Sequence, residues 1–498
     1  GAAVNTRAIE RQLRIMKEMG ANAIRTSHNA PAPELLDLCD RMGLLVQDES
    51  FDMWERRKSP YDYARYFAEW HERDLTDEIL RDRNHASVFM WSIGNEVLEQ
   101  WSHADATELD LQAANLILNA GHAIDPALLK DTTLSRQSLI TRHLAGIVKR
   151  LDTSRVVTAG CNEVNPANHL FRSDALDVLG FNYHERYFEP FLRNFPGKKL
   201  IVSESTSALM TRGYYEMPSD HIYIRPESWD KPFEAPEHVC SSYDNCHVPW
   251  GSTHEKTWHL VKTLPHVSGL FVWTGFDYLG EPTPYWWPSR SSFFGIVDLA
   301  GFPKDVYYMY KSEWTDEPVL HIFPHWNWKV GEPVDIWAYY NNADEVELYL
   351  NGKSLGVQQK TDSTYHVSWR VPFTPGTLRA VSRLGGKEVL VKEIHTAGEP
   401  ARLVLTPDRS VIQADGSDLS FVTVDVRDID GNRVPDATPL IRFFVEGPGE
   451  IAGTDNGDPN DPNSLRKPKR QAYYGKALVV IRNKGGQGDI HLKAIAEG

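Results

Sequence analysis

Two glutamates stand where parallel-strand enzymes keep their chemistry. Glu96 ends the run Val88 to Glu96, VFMWSIGNE, and Glu204 lies in Leu200 to Thr206, LIVSEST. Each run is apolar, β-branched and aromatic, and of strand length, which suits a strand buried on both faces of a parallel sheet. A carboxylate at the C-terminal end of such a strand sits on the catalytic face of a barrel. Glycosidic bond hydrolysis needs such a pair: one carboxyl protonated, to give a proton to the leaving oxygen, and one ionised, to attack the anomeric carbon. The two are too far apart in sequence for a local motif, and their separation fits two strands with two more between them. One glutamate at a strand end is more often an ion-pair partner or a helix cap. Two of them, one preceded by Asn95, reverse that preference.

The elements that must position this pair alternate. Arg7 to Met19 puts Ile9, Leu13 and Met16 on one helical face, with Gly20 to close it. Ala21 to Ser27 reads as a strand and Pro33 to Met42 as a helix with Leu35, Leu38, Cys39 and Met42 inward. Leu44 to Ser50 is a strand, and Tyr66 to Arg83 a charged amphipathic helix ahead of VFMWSIGNE. Further strands are Val156–Gly160, Val178–His184, Leu200–Thr206 and Gly269–Tyr278. Alternation of this kind signals βαβ units. It predicts a (β/α)8 TIM barrel over residues 1–317 whose first strand is missing from the chain, leaving the barrel open on one side. Near Glu317 the helical period stops. Val334, Ile336 and Ala338 alternate with other residues, and Asn351-Gly352 marks a type I′ hairpin. A second all-β stretch opens at Ala401. The expectation is two immunoglobulin-like sandwiches, 318–400 and 401–498.

Composition bounds the function. A net charge of −15 over 498 residues argues against nucleic acid and anionic membrane surfaces as partners. No apolar run is long enough to span a membrane. The chain holds 15 Trp, 20 Tyr and 19 Phe, which large cores explain more readily than sugar-stacking surfaces do. Cys39 and Cys161 read as free core thiols, while Cys240 and Cys246 flank SSYDN and suit a local disulfide in an exported protein. No cysteine or histidine spacing suggests zinc. Gly1 opens straight onto a helix, so the native N-terminus is expected upstream. The acidic balance and the sandwiches fit a periplasmic or extracellular protein.

The segments GANAIRTSHNAPAPELLDLCDRMGLLVQDES, WSIGNE, GFNYH, VSES and FVWTGFDYLGEPTPY, in this order, resemble glycoside hydrolase family 2, the family of β-galactosidases, β-glucuronidases and β-mannosidases. The likeness covers about residues 1 to 315. It implies that Glu96 is the general acid/base and Glu204 the nucleophile of a retaining double displacement, with carboxyls about 5–5.5 Å apart. By the same resemblance Glu96 has a raised pKa, Asn95 bonds the sugar 2-hydroxyl and Tyr183 bonds the nucleophile. Arg25 and His28 lie near the nonreducing sugar, and Trp273 floors its site. Asp52 and Glu281, in strand-end loops, are candidates for substrate contact, more readily read as loop-ordering groups. Asp48 and Glu49 match a pair read as mainly structural.

The departures matter as much. SFDMWER lacks the histidine of the family's magnesium site, so no metal or other cofactor is expected. DYLGEPTPYWWPSR lacks the Asn-x-Lys with which β-glucuronidases read a sugar acid. The sequence therefore points to an exo-acting β-galactosidase acting on β-linked oligo- or polysaccharide. β-Mannosidase, β-glucuronidase and a noncatalytic carbohydrate-binding fragment are the alternatives, and a homo-oligomer is compatible with it. The insertion Thr211 to Trp258 suits either a leaving-group subsite or a scaffold docked on a neighbouring domain. Asp455 to Ser464, DNGDPNDPNS, reads as a turn cluster rather than a calcium loop.

Overall fold

A computed structural model describes residues 4–102, 133–228, 231, 233–235 and 237–497. Seven parallel strands lie side by side in chain order: β1 (Ala23–Arg25), β2 (Leu45–Glu49), β3 (Val88–Asn95), β4 (Val156–Cys161), β5 (Val178–Asn182), β6 (Lys199–Thr206) and β7 (Val267–Trp273). The middle strands are buried almost from end to end, as their uninterrupted apolar runs require. Helices α1 (Thr6–Met19), α2 (Pro33–Met42), α3 (Ala64–Asp82) and α4 (Arg136–Leu151) follow the expected pattern. Asn5 caps α1 and Gly20 ends it in the left-handed region. In α2 Leu36, Leu38 and Cys39 are buried, and Leu35 and Met42 are half-buried and pack against the same core.

The barrel is nearly closed. Among the described residues β1 and β7 are the two unpaired edges of the sheet, and both are half-buried. Between them lies a cavity of about 610 Å³, lined by Leu13 and Met16 of α1, Ile24 of β1, and Leu270, Val272 and Trp273 of β7. This seam is where one more strand of an eight-stranded barrel would pair. β7 is shorter than the sequence predicts. It stops at Trp273 because the chain then pairs elsewhere: Thr274 N–H donates to the carbonyl of Phe294 and Asp277 N–H to that of Val297.

Beyond Trp314 the described structure is antiparallel. A three-stranded and a four-stranded sheet enclose a core that includes Ile336, Leu348 and Trp369. A second such pair encloses one that includes Val424, Ile441 and Val479. Asn351 and Gly352 both have positive φ between paired strands, as a type I′ turn demands.

The insertion after β6 docks on both sandwiches. Ser219 N–H donates to Asp335 at 2.7 Å and Trp337 Nε1 donates to Ser219 at 2.9 Å. Arg212 pairs with Asp298 at 2.6 Å and donates to the carbonyls of Asn456 and Tyr473 at 2.9 and 3.1 Å. A Cβ on Gly457 would lie 2.0 Å from Asp298 Oδ2, so only glycine permits this approach. The loop from Asp455 is a chain of Asx turns: Asp455, Asp458 and Asp461 each accept from an amide two residues on. Cys39, Cys161, Cys240 and Cys246 are all free and buried, so Cys240 and Cys246 form no disulfide here.

Candidate active site

The C-terminal ends of the strands bring the two glutamates into one network. Glu96 directly follows β3 with φ 43°, and Tyr183 follows β5 with φ 58°. Holding a non-glycine residue in the left-handed region costs about 1–3 kcal/mol, which the surrounding sheet must supply. The cost is met by backbone bonds across adjacent strands: Glu96 N–H donates to Gly160 and Tyr183 N–H to Glu204, both at 2.7 Å.

Each Glu204 oxygen has a donor. Tyr183 Oη donates to Oε1 at 2.7 Å and Arg25 Nη1 donates to Oε2 at 2.7 Å. Arg25 also reaches Glu49 through Nε and Nη2, both at 3.0 Å, and Asn95 at 2.6 Å. Burial opposes the charge of this guanidinium, but Glu49 and Glu204 override it and hold Arg25 charged. Burial likewise acts on Tyr183, with Glu204 beside it, and its phenol is kept far above the usual value, as a neutral donor.

Glu96 accepts from Asn182 Nδ2 at 2.9 Å, and the same nitrogen reaches Asn95 at 3.0 Å. Its pKa is pushed up to about 7, by desolvation first and by the charge of Glu204 second. On the far side, Lys58 pairs with Asp52 at 2.7 Å and donates to the Asn95 carbonyl at 2.8 Å. Asp52 also accepts from Asn95 Nδ2 at 3.3 Å, so it orders the asparagine as well as its own loop.

His28 does not cap a helix. Its Nδ1 lies 2.8 Å from Glu49, its Nε2 3.9 Å from Glu204, and its ring stacks on Trp273 with centroids 5.3 Å apart. Trp273 Nε1 donates to Tyr278 Oη at 3.1 Å, and Tyr278 in turn donates to Glu281. Burial raises the Glu281 carboxyl above its usual value, and Glu204 adds to that. All eight sequence-derived site residues therefore belong to one connected neighbourhood. Three members had no such role in the sequence reading. Asn182 stands directly before Tyr183 in GFNYH, and that adjacency was the available signal. Lys58 carried none. Glu49 was read as structural, yet it binds both Arg25 and His28 and accepts from Ser92 at 2.7 Å.

Two clusters among the described residues bring three potential ligand atoms within 4.8 Å of one another: Asp48, Glu78 and Asp82 behind β2, and His71, Glu72 and His143 near the surface. Neither includes Glu96 or Glu204.

Comparison with known proteins gives the arrangement its kin. The family 2 TIM barrel domain of the glycosyl hydrolases matches residues 1–127, and the glycoside hydrolase family 2 C-terminal domain 5 matches 403–498. A domain of unknown function matches 331–390. The β-galactosidase BoGH2A of Bacteroides ovatus is 62% identical over the whole chain, which spans 58% of that protein. A putative β-glucuronidase of Formosa agariphila is 32% identical over 95% of the chain and 43% of its own length. The crystal structure of a β-glycosidase from Bacteroides vulgatus superposes with a TM-score of 0.84 at 32% identity, covering all of this chain and 60% of that one. The chain thus spans about half the length of the curated relatives it matches. With family domains at both ends and so close a relative along its whole length, the chain belongs to glycoside hydrolase family 2.

Proposed function

We propose that the chain carries the catalytic machinery of a retaining exo-β-glycosidase that removes terminal β-galactosyl residues. One observation carries the reading: Glu96, pushed up to about 7, stands beside a Glu204 fixed by Tyr183 and Arg25. A carboxyl raised by burial suits the acid role, and a carboxyl gripped by two donors is oriented for attack. In the first step Glu204 attacks the anomeric carbon. The bond to the leaving oxygen breaks, and Glu96 gives that oxygen its proton. In the second step Glu96 takes a proton from water, the water oxygen attacks the anomeric carbon, and the ester to Glu204 is released. On this reading Asn95, held by Arg25 and Asn182, meets the sugar's 2-hydroxyl.

The choice of sugar has its own support. Arg25 spends its donors on Glu49, Asn95 and Glu204, and Lys58 is engaged by Asp52 and the Asn95 carbonyl. Among the described residues of this network, neither cation is left for a uronic acid, and Glu281 adds a carboxyl at the rim. A neutral sugar fits that balance, and BoGH2A is named a β-galactosidase.

The test is hydrolysis of aryl β-galactoside, glucuronide, mannoside and glucoside by the chain and by Glu204→Ala. Galactoside turnover that falls at least about a thousandfold in the variant supports the reading. Preference for another sugar overturns the galactosidase assignment and keeps the mechanism. Turnover that survives in Glu204→Ala overturns the mechanism. A chain that binds galactosides but turns over none of the four sugars is a carbohydrate-binding fragment.

A further inference from the structure

After β7 the chain rises as a hairpin whose arms are tied by Gly280 N–H to the Arg290 carbonyl and Ser292 N–H to the Tyr278 carbonyl, both at 2.8 Å. Its base holds Tyr278 and Glu281, beside Trp273 and within electrostatic reach of Glu204. Its tip holds Trp286 and Trp287, which are 79% and 73% exposed. Leaving two neighbouring indoles in water forfeits a large apolar burial. The tip is nonetheless firmly built. Between base and tip, Tyr285 is buried, donates to the Val239 carbonyl at 2.6 Å and stacks on His238 with centroids 4.7 Å apart. His238 and Ser289 are 3.0 Å apart, and Ser289 donates to Asn460 at 2.6 Å. Arg290 N–H donates to the Pro459 carbonyl at 2.9 Å, so the last sandwich braces the hairpin from behind. The two indoles line a cavity of about 500 Å³ together with Phe233, Ala235, Glu234 and His238.

We propose that Trp286 and Trp287 form a stacking platform for pyranose rings on the leaving-group side of the scissile bond. The argument is continuity. One hairpin runs from the pocket of the nucleophile to the indoles, so a saccharide leaving that pocket along it meets flat apolar faces with polar groups at their edges. A pyranose has that same character, apolar C–H faces and a polar rim, and aromatic faces flanked by hydrogen-bonding groups suit it. The ligand class is therefore an uncharged oligosaccharide extended beyond the terminal sugar. The inference rests on the glycosidase reading above and deepens it.

The test compares lacto-N-neotetraose, a tetrasaccharide with a terminal β-galactosyl residue, with 4-nitrophenyl β-galactoside, which has no second sugar. In the Trp286→Ala/Trp287→Ala double variant, the ratio of kcat/KM for the tetrasaccharide over the aryl galactoside falls roughly tenfold, through KM. The Trp286→Phe/Trp287→Phe variant recovers most of the loss. An unchanged ratio overturns the platform. So does a double variant that alters oligomeric state by light scattering without altering the ratio, which would make the patch a contact between copies. Should the chain turn over neither substrate, the glycosidase reading fails separately. Titration of intrinsic tryptophan fluorescence with the tetrasaccharide then decides the platform: a saturable change lost in the double variant supports it, and no change overturns it.

Discussion

The barrel has a closed side and an open side, and they contribute different groups to the site. On the closed side β3, β5 and β6 are buried in the sheet and pair on both edges. They deliver Glu96, Asn182, Tyr183 and Glu204, the groups to which the proposal gives acid and nucleophile chemistry. On the open side, among the described residues, β1 and β7 have one unpaired edge each and are half-buried. They deliver Arg25, which holds Glu204 and Glu49, and His28 and Trp273, which stack on each other and which the proposal sets around the sugar. Atoms that must sit within fractions of an ångström of a reacting carbon belong on the stiffer half. Groups that stack and hold tolerate the looser one.

The closed side is the place to break first. Glu96→Gln lowers kcat for an alkyl β-galactoside by about 10²–10⁴-fold, the usual share of general acid–base catalysis. It lowers the glycosylation rate for a dinitrophenyl galactoside far less, since that leaving group needs no proton. Single-turnover kinetics on both substrates check this. An equal loss on both would remove Glu96 from the acid role. In the unsubstituted chain kcat/KM falls as pH rises through about 7, because Glu96 then loses the proton it must give.

The same variant separates activity from stability. Glu96 is half-buried and its folded-state pKa stands above the unfolded value, so the folded state binds the proton more tightly. Stability therefore declines as pH rises from the unfolded value of a glutamate toward about 7. Glu96→Gln removes that decline and stabilises the chain above pH 7 by up to about 3 kcal/mol. The gain vanishes toward pH 4. Denaturant titrations at both ends of that range measure it, and a gain that grows toward acid pH would contradict the burial argument.

The contrast between the two sides has a direct reporter. Amides of Val267–Trp273 exchange with solvent at least about tenfold faster than those of Val178–Asn182, because one edge of β7 has no partner strand. Equal protection would mean that the seam is as rigid as the rest. The smallest effect is expected at Trp273, the proposed floor of the sugar site. Trp273→Ala raises KM for the aryl galactoside about three- to tenfold with a lesser change in kcat, as loss of a stacking surface does. A kcat loss as deep as that of Glu96→Gln would place Trp273 with the chemistry instead.

What could be read in advance follows the same division. VFMWSIGNE and LIVSEST announced themselves because strands buried on both faces admit almost no polar residue before their ends. Gly20 and the Asn351-Gly352 turn were legible because they act on their own neighbours. The end of β7 was not, since Phe294 and Val297 draw the chain out of the sheet from a distant segment. At Gly295 an added Cβ would meet the Asp277 nitrogen at 2.1 Å, a requirement that no local pattern expresses. Glu49 escaped for the related reason that its value to the site comes from Arg25 and His28, which reach it from another strand. For the insertion the sequence allows two roles. Its contacts with Asp335, Trp337 and Asn456 make it a scaffold, while its His238 and Phe233 still line the cavity beneath the tryptophans.

The bonds of Arg212 bear on how such a chain can change over generations. Its guanidinium is satisfied by Asp298 on one side and by two main-chain carbonyls of the last sandwich on the other. Exchange of that sandwich for another of equal size would strand a buried cation unless the newcomer brought carbonyls to the same two points. A unit that looks interchangeable along the sequence is therefore inherited together with the loop it clasps.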